Sequence, residues 1–436
     1  MSGRIAVAAT VGLLAVAGHA CRPEPPLHAV LLPDLSRLTS EPVRQQLRQQ
    51  YGLLTARAGG GGSPHADLGR AYGDMGRLFL AADYVQAAEP CFLNAETLIP
   101  GDMRWPYYLG RVYTLQGKPG RSAEAFERAL RLRPDDPATL IRLGNAYLDQ
   151  GRESEGAPLF TRVLAIDPDS APALQGLGRI ALATRDYARA IDYLRRALAS
   201  DPEASVLHYS LGIAYRGLGD QANAEAHVRR RGPVDVRVGD PLMQELLELL
   251  ESATAYERRA MRASAAGDWK AAAGYLRQSV ALDPGDASLR NKLGIALSML
   301  GDRAGAIEQL EEAIRRAPDF ADAHLNLALL MVEQGGDAAA IGHFRTAVQH
   351  APNHAQARLA YADALRRGGR VQEAAAHYQR LLDVDSGNVQ ARFGYAMTLV
   401  ARKRYAEARA QLLEDMTRYP DRPEFAEALA RLQARR

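Results

Sequence analysis

Cysteine is nearly absent: Cys21 and Cys91 are the only two among 436 residues. Two thiols cannot make a disulfide-dense scaffold, and with no C-x-x-C-H run covalent c-type haem is excluded on this chain. The sequence also has no P-loop, no G-x-S-x-G elbow and no H-E-x-x-H helix, so the common nucleotide-binding, acyl-transfer and zinc-hydrolase signatures are missing. Charge of one sign is lacking too. The net charge of +3 gives no strong field for nucleic acid or a strongly acidic partner. Lysine is scarce, at four of 54 basic residues, which reflects either genomic base composition or a use of arginine to pair with carboxylates and phosphates. The longest apolar run, Ile5 to Gly18, is shorter than the about 20 residues a membrane-spanning helix needs.

What is present is periodicity. Gly76, Gly110, Gly144, Gly178 and Gly212 lie 34 residues apart, and after one break Ala260, Gly294, Ala328, Ala362 and Ala396 resume the same spacing. Pro100, Pro134, Pro168 and Pro202, then Pro284, Pro318, Pro352 and Pro420, share the period. A fixed period of this length predicts a stack of repeated units. Residues 137–170 carry Leu143-Gly144, Tyr147, Gly151, Gly156, Phe160, Val163 and Pro168; residues 171–204 carry Leu177-Gly178, Ala181, Ala190, Leu194, Ala197 and Pro202. Spacings of three, four and seven within each half are helical. The small eighth residue lets two helices approach. Glycine at the fifteenth place (117, 151, 219, 267, 301 and 335) ends the first helix, and the proline ends the second. Each unit is therefore expected to be two antiparallel helices.

This pattern resembles the tetratricopeptide repeat over roughly residues 69–422. The resemblance implies an all-α fold, an α-solenoid of about ten helix-turn-helix repeats wound as a right-handed superhelix. Gly212 and Ala260 are 48 residues apart, 14 more than the period, and Asp235 stands where a phased proline belongs. Asp240-Pro241 followed by Leu242, Leu246, Leu249 and Leu250 predicts a partly helical insert, where the stack bends or divides. The expected organisation is a signal peptide at 1–20, a leader with one helix at 21–64, repeats one to five at 65–232, the insert at 233–252, repeats six to ten at 253–422, and a capping helix at 423–436. Phe425, Leu429 and Leu432 share one face of that last helix.

Arg4, the apolar run and Gly18-His19-Ala20 read as a secretory signal peptide. Cys21, next after the cleavage point, resembles the lipidated cysteine of a bacterial lipoprotein. The chain is then exported and periplasmic, membrane-anchored through Cys21; the alternative is ordinary cleavage and a soluble periplasmic protein. Cys91 reads as a small core residue. The leader opens with Pro23, Pro25, Pro26 and Pro33, which reads as a spacer. Val43, Leu47, Tyr51 and Leu54 then mark a helix over 41–57, placed to cap the first repeat, with docking on a partner as the alternative.

The resemblance further implies that the first helix of each unit lines a concave groove. Carried onto this chain, the groove positions are Tyr107, Tyr108, Arg111, Arg142, Asn145, Gln175, Arg179, Tyr209 and Arg216. Arginine forks and amides hold a carboxylate or peptide backbone, and tyrosine adds contact area. In units six to ten the same positions turn apolar, with Leu325, Leu329, Leu359, Phe393 and Met397 beside Asn291, Lys292 and Asn326. His350 and His354 straddle Pro352, and Asp383–Asn388 lies where repeats turn, so neither reads as a metal site. The expectation is a non-enzymatic, cofactor-free scaffold for a protein or peptide partner at the cell envelope, with no nucleic acid bound. An assembly or export factor for an envelope polysaccharide, pilus or secretion complex is the alternative, and a regulatory part of an enzyme ranks last.

Overall fold

The computed structural model describes residues 26–60 and 64–434. The expected signal peptide and Cys21 lie outside the described residues. Twenty-three α-helices and no strand occur among them. Helix α1 (Glu41–Gly59) precedes five helix pairs: α2 (His65–Ala81) with α3 (Val85–Leu98), α4 (Arg104–Leu115) with α5 (Pro119–Leu132), α6 (Pro137–Leu148) with α7 (Glu153–Ile166), α8 (Ala171–Ala183) with α9 (Tyr187–Ser200), and α10 (Val206–Gly217) with α11 (Gln221–Arg230). The short α12 (Pro241–Leu247) follows. Five more pairs are α13 (Ala253–Ala265) with α14 (Trp269–Leu282), α15 (Ala287–Met299) with α16 (Arg303–Arg316), α17 (Ala321–Glu333) with α18 (Asp337–His350), α19 (Ala355–Arg367) with α20 (Val371–Val384), and α21 (Val389–Ala401) with α22 (Tyr405–Arg418); α23 (Pro423–Gln433) closes the series. Two compact units result. One holds the described residues up to Leu35 with Leu47–Leu242, the other Ser36–Gln46 with Met243 onward. Within each, a helix pair packs on the next.

The ladder of small residues has a steric cause. Sixteen residues after each one comes a larger apolar residue on the partner helix: Phe92, Phe126, Phe160, Leu194, Val228, Leu276, Leu310, Phe344, Tyr378 and Leu412. All but Val228 are buried. A methyl group on Gly110 would sit 2.5 Å from the Phe126 ring, and one on Gly144 2.6 Å from Phe160. The eighth residue is therefore the floor on which the opposite side chain rests. The turn between the helices is equally regular. Gly117, Gly151, Gly219, Gly267, Gly301, Gly335 and Gly369 all have left-handed φ near +70 to +80°, while Asp83, Arg185 and Lys403 take that conformation in the other three units. Aspartates open many helices: Asp186, Asp220, Asp268 and Asp302 each accept the N–H three residues on.

The leader differs from a free spacer. The Asn94 side chain accepts the His28 N–H at 2.7 Å and donates to the His28 carbonyl at 2.9 Å, while the Tyr84 hydroxyl donates to the Asp34 carbonyl at 2.7 Å. Residues 28–35 therefore run along the first repeat as an extended ligand would. In α1, Val43, Leu47 and Leu54 are buried, and the Gln46 amide bonds the backbone of Leu249 and Glu251. Cys91 is a buried free thiol; burial pushes its pKa up, which keeps it protonated. At the C-terminal end, Phe425 and Leu429 of α23 are buried over Ala396 and Leu412, with Leu432 packed beside them. Arg392, almost wholly buried, bonds Asp415 and the Ser386 carbonyl and reaches Glu414 at 2.5 Å, fastening α21 to α22.

Two units each carry a pair of histidines 19 residues apart, one on each helix. Nδ1 of His208 lies 2.9 Å from Nδ1 of His227, and Nδ1 of His324 lies 2.8 Å from Nδ1 of His343. His324 Nε2 donates to the Pro318 carbonyl at 3.0 Å, so in the neutral ring Nδ1 accepts and His343 donates. Burial holds His208, His227 and His343 below the ordinary 6.5; Arg230 adds to this at His208 and His227, Arg195 at His227, and His324 at His343, where Glu311 opposes it.

Two outcomes are expected. Gly110→Ala lowers stability by about 1–3 kcal/mol through overpacking against Phe126, and Phe126→Leu in the same chain recovers part of it; denaturant titration followed by far-UV circular dichroism measures both. Because the histidine pKa values are lowered on folding, the folded chain binds fewer protons than the unfolded one. The stability they contribute is whole above about 6.5 and declines as pH falls below it. Melting temperatures between pH 7 and pH 5 should drop, and His227→Gln with His343→Gln should flatten that slope.

Candidate functional site

The inner helices α4, α6, α8 and α10 carry every predicted groove residue of the first compact unit. An extended segment of the same chain, residues 232–240, crosses them in reverse order. It leaves α11 beside α10, where the Val206 N–H donates to the Val234 carbonyl at 3.0 Å and the Val234 N–H to Ser205 Oγ at 3.1 Å. Val236 is buried among Ala171, Leu174, Leu207 and Leu211. Asp201 accepts the Arg237 N–H at 3.0 Å and the Arg237 guanidinium at 2.8 Å. Val238 packs against Leu140, Ile141 and Leu177. The strap ends at Asp240, 3% exposed, whose carboxylate accepts from the Tyr107 hydroxyl and pairs with Arg142 at 2.8 Å. The Tyr108 hydroxyl donates to the Leu242 carbonyl at 3.2 Å.

The predicted residues therefore divide into two lanes. Tyr107, Tyr108 and Arg142 lie under the strap. Both tyrosines are fully buried, Tyr108 stacked on Phe92 and Tyr107 against Phe126, so they are core residues with polar ends, not open contact surface. Burial raises the Tyr107 pKa and keeps its hydroxyl a donor. Burial works against the charge of Arg142, but Tyr107 and Asp240 outweigh it and its pKa ends above the usual range. Arg111, Asn145 and Arg179, one helical turn further along, form the open lane. Arg179 reaches Asn145 Oδ1 and Asp149 at 3.1 Å each. Arg111, with Arg142, Asn145, Thr114, Ser122 and Asp149, lines a cleft of about 230 Å³. Its Nε is buried with no hydrogen-bond partner, and burial together with the nearby Arg142 lowers its pKa. A half-buried guanidinium in that state favours an added anion. Gln175 is half-buried, Tyr209 is 55% exposed and Arg216 is exposed; none of the three joins either cluster.

In units six to ten the inner apolar positions are covered to different degrees: Leu325 is buried, whereas Leu329, Leu359, Phe393 and Met397 are half-buried, the last two lining a cleft of about 200 Å³ with α23. Leu325 is core, Leu329 and Leu359 pack on the same core, and Phe393 and Met397 pack around Phe425. Asn326 donates to Asn291 at 2.9 Å and Lys292 pairs with Glu257 at 2.5 Å, so these polar residues are tied to each other and to the array. Among the described residues no group of three or more His, Cys, Asp or Glu is gathered as a metal site would require, and no helix is long and apolar enough to cross a membrane.

Sequence reasoning missed Asp201, Arg237, Asp240 and Asn94. For the strap a signal existed: Val234, Val236 and Val238 alternate with Asp235 and Arg237, the period of an extended strand with one covered face. Asn94 carries no such mark, because an isolated amide on a helix is indistinguishable from a solvated one until the leader is placed on it.

Arg142→Met leaves the Asp240 carboxylate buried with the Tyr107 hydroxyl as its remaining partner from this cluster. A loss of about 3 kcal/mol is expected, at the low end for a broken buried pair because Arg142 retains some solvent contact. Arg142→Met with Asp240→Leu should lose much less, and thermal melting of the two variants checks this.

Models of the tetratricopeptide repeat match residues 67–137, 107–171 and 176–232, residues 238–385, and residues 365–432. No curated protein matches the chain. Similar solved structures include yeast Tom70, 15% identical over 84% of this chain and 96% of that one, with a TM-score of 0.37. YrrB, described as a TPR protein with an unusual peptide-binding site, is 20% identical over 54% and 96%, with a TM-score of 0.21. PilF of Pseudomonas aeruginosa is 18% identical over 61% and 98%, with a TM-score of 0.32. With repeat matches running from residue 67 to residue 432 and the paired helices in phase with them, the chain belongs to the tetratricopeptide repeat family.

Proposed function

We propose that this chain is a non-enzymatic scaffold of the bacterial cell envelope that holds a protein or peptide partner on the open lane of its inner surface. Repeats of this family are protein-binding modules, and a preformed array binds without the cost of ordering itself. The observation that carries the reading is Arg111: a half-buried guanidinium with an unpartnered Nε, beside Asn145 of the next repeat, which in turn is bonded by Arg179 one repeat further on. Arginine in this setting is completed by a carboxylate of an incoming chain, and the neighbouring amide accepts or donates to its backbone. Export rests on Arg4 and the run Ile5–Gly18, and anchoring on Cys21.

The test is charge reversal. Arg111→Glu with Arg179→Glu should lower partner capture at least tenfold while the melting temperature stays near that of the unaltered chain. Arg111 makes no hydrogen bond to lose, and the Arg179 pair with Asp149 is exposed and worth little. Capture from envelope fractions, with mass spectrometry of the partners and of the N-terminal Cys21 peptide, reads both halves of the proposal. Undiminished capture by the double variant overturns the groove; an unmodified Cys21 overturns the anchor.

A further inference from the structure

The strap is a bound peptide that happens to be covalently attached. It belongs to no repeat, it is extended, and it crosses α10, α8, α6 and α4 in turn. Its contacts read a side-chain pattern: two β-branched residues at alternate places, Val236 and Val238, enter apolar clusters, and a carboxylate two residues beyond the second is held by Tyr107 and Arg142. Its backbone is read by Val206, Ser205 and Asp201. The first repeat treats the leader in the same manner, gripping both backbone groups of His28 with one amide. This array thus binds extended chain in two places.

We propose that the surface beneath the strap is a second binding lane, whose partner is an extended peptide of the pattern β-branched, any, β-branched, any, carboxylate, taken up in exchange for residues 232–240. This rests on the reading of the inner surface as a peptide site and names the partner chemistry of its covered half. The exchange is chemically balanced. Burying an ion pair roughly breaks even against hydration, so replacing the Asp240 carboxylate by another in the same cradle changes little. What favours the strap is its tether, equivalent to a local concentration in the millimolar range for a short flexible connection. A free peptide of the same pattern therefore binds the unaltered chain weakly, and weakening the strap strengthens it.

The probe is a labelled peptide of the strap's own sequence, Val-Asp-Val-Arg-Val-Gly-Asp, titrated by fluorescence polarisation into the full chain. Asp240→Ala is expected to raise its affinity at least tenfold over the unaltered chain, and a probe ending in Ala is expected to lose that gain. Equal affinity for the two chains, or equal binding of the two probes, overturns the proposal. If Asp240→Ala does not melt cooperatively, hydrogen exchange on the unaltered chain decides. The Arg237 amide, bonded to Asp201, should exchange at least a hundredfold faster than the central amides of α4 and α6; exchange only together with those helices overturns the proposal. The probe reads the covered lane, whereas Arg111→Glu with Arg179→Glu reads the open one. A silent probe beside lost partner capture removes this inference and leaves the proposed function standing.

Discussion

The structure depends on one contact repeated ten times: a large apolar side chain on the second helix of each unit, seated on a residue of the first helix that has little or no side chain. The spacing of sixteen residues between them sets how closely the two helices lie, and every other dimension of the unit follows from it. Glycine is not an absolute need, since Ala328 supports Phe344 and Ala362 supports Tyr378. What the site excludes is bulk. The seated ring also links neighbours. Phe160 would meet a methyl group on Gly144 of its own unit at 2.6 Å and one on Gly176 of the next at 2.5 Å, and the Tyr378 ring faces Gly394 in the same way. One side chain thus couples packing within a unit to packing between units, the nearest-neighbour term on which repeat arrays rely.

The polar side chains of such an array need partners on neighbouring elements. Much of that need is satisfied by arginine. Arg128 forks onto Glu96, Arg237 onto Asp201, and Arg392 onto Asp415 and Glu414, each bridging parts of the chain far apart in sequence. A planar guanidinium presents two parallel donors to one carboxylate, which an ammonium cannot do, so the shortage of lysine has a structural use whatever its genomic origin. Against that background Arg111 has a buried Nε without a hydrogen bond, a state it shares with Arg366. What distinguishes Arg111 is its cleft, shared with Asn145 and with Asp149, whose carboxylate is already paired with Arg179.

The helix pairs, their turns and the end helix were legible in the sequence because small residues, glycines and prolines recur in phase, and each has a local cause: close approach, left-handed φ, a missing N–H. The burial of Tyr107 and Tyr108 is not legible for a related reason. Their spacing places them on the inner helix, but burial depends on what lies across from them, and that is Phe92, Phe126 and a segment more than 130 residues later in the chain. The period cannot report a contact outside the period. The same limit hid the leader's grip on Asn94 and the packing of α23 beside Phe393 and Met397.

The strap itself arises from a failure of the repeat. Second helices in the other units run 14 residues, yet α11 runs ten, ending at Arg230 before Gly232-Pro233. Proline cannot continue a helix, and the residue before it is driven to extended backbone. Val228, the least buried of the seated residues, gives that helix the weakest hold on its partner. The turn released there cannot pack as helix, because no phased proline or following unit receives it. It can pack as extended chain, provided alternate residues are apolar, as Val234, Val236 and Val238 are. An array whose inner face accepts this segment from within has already met the requirement for accepting one from outside, since the contacts that hold Val236, Val238 and Asp240 are made with their side chains and do not depend on where the chain leads.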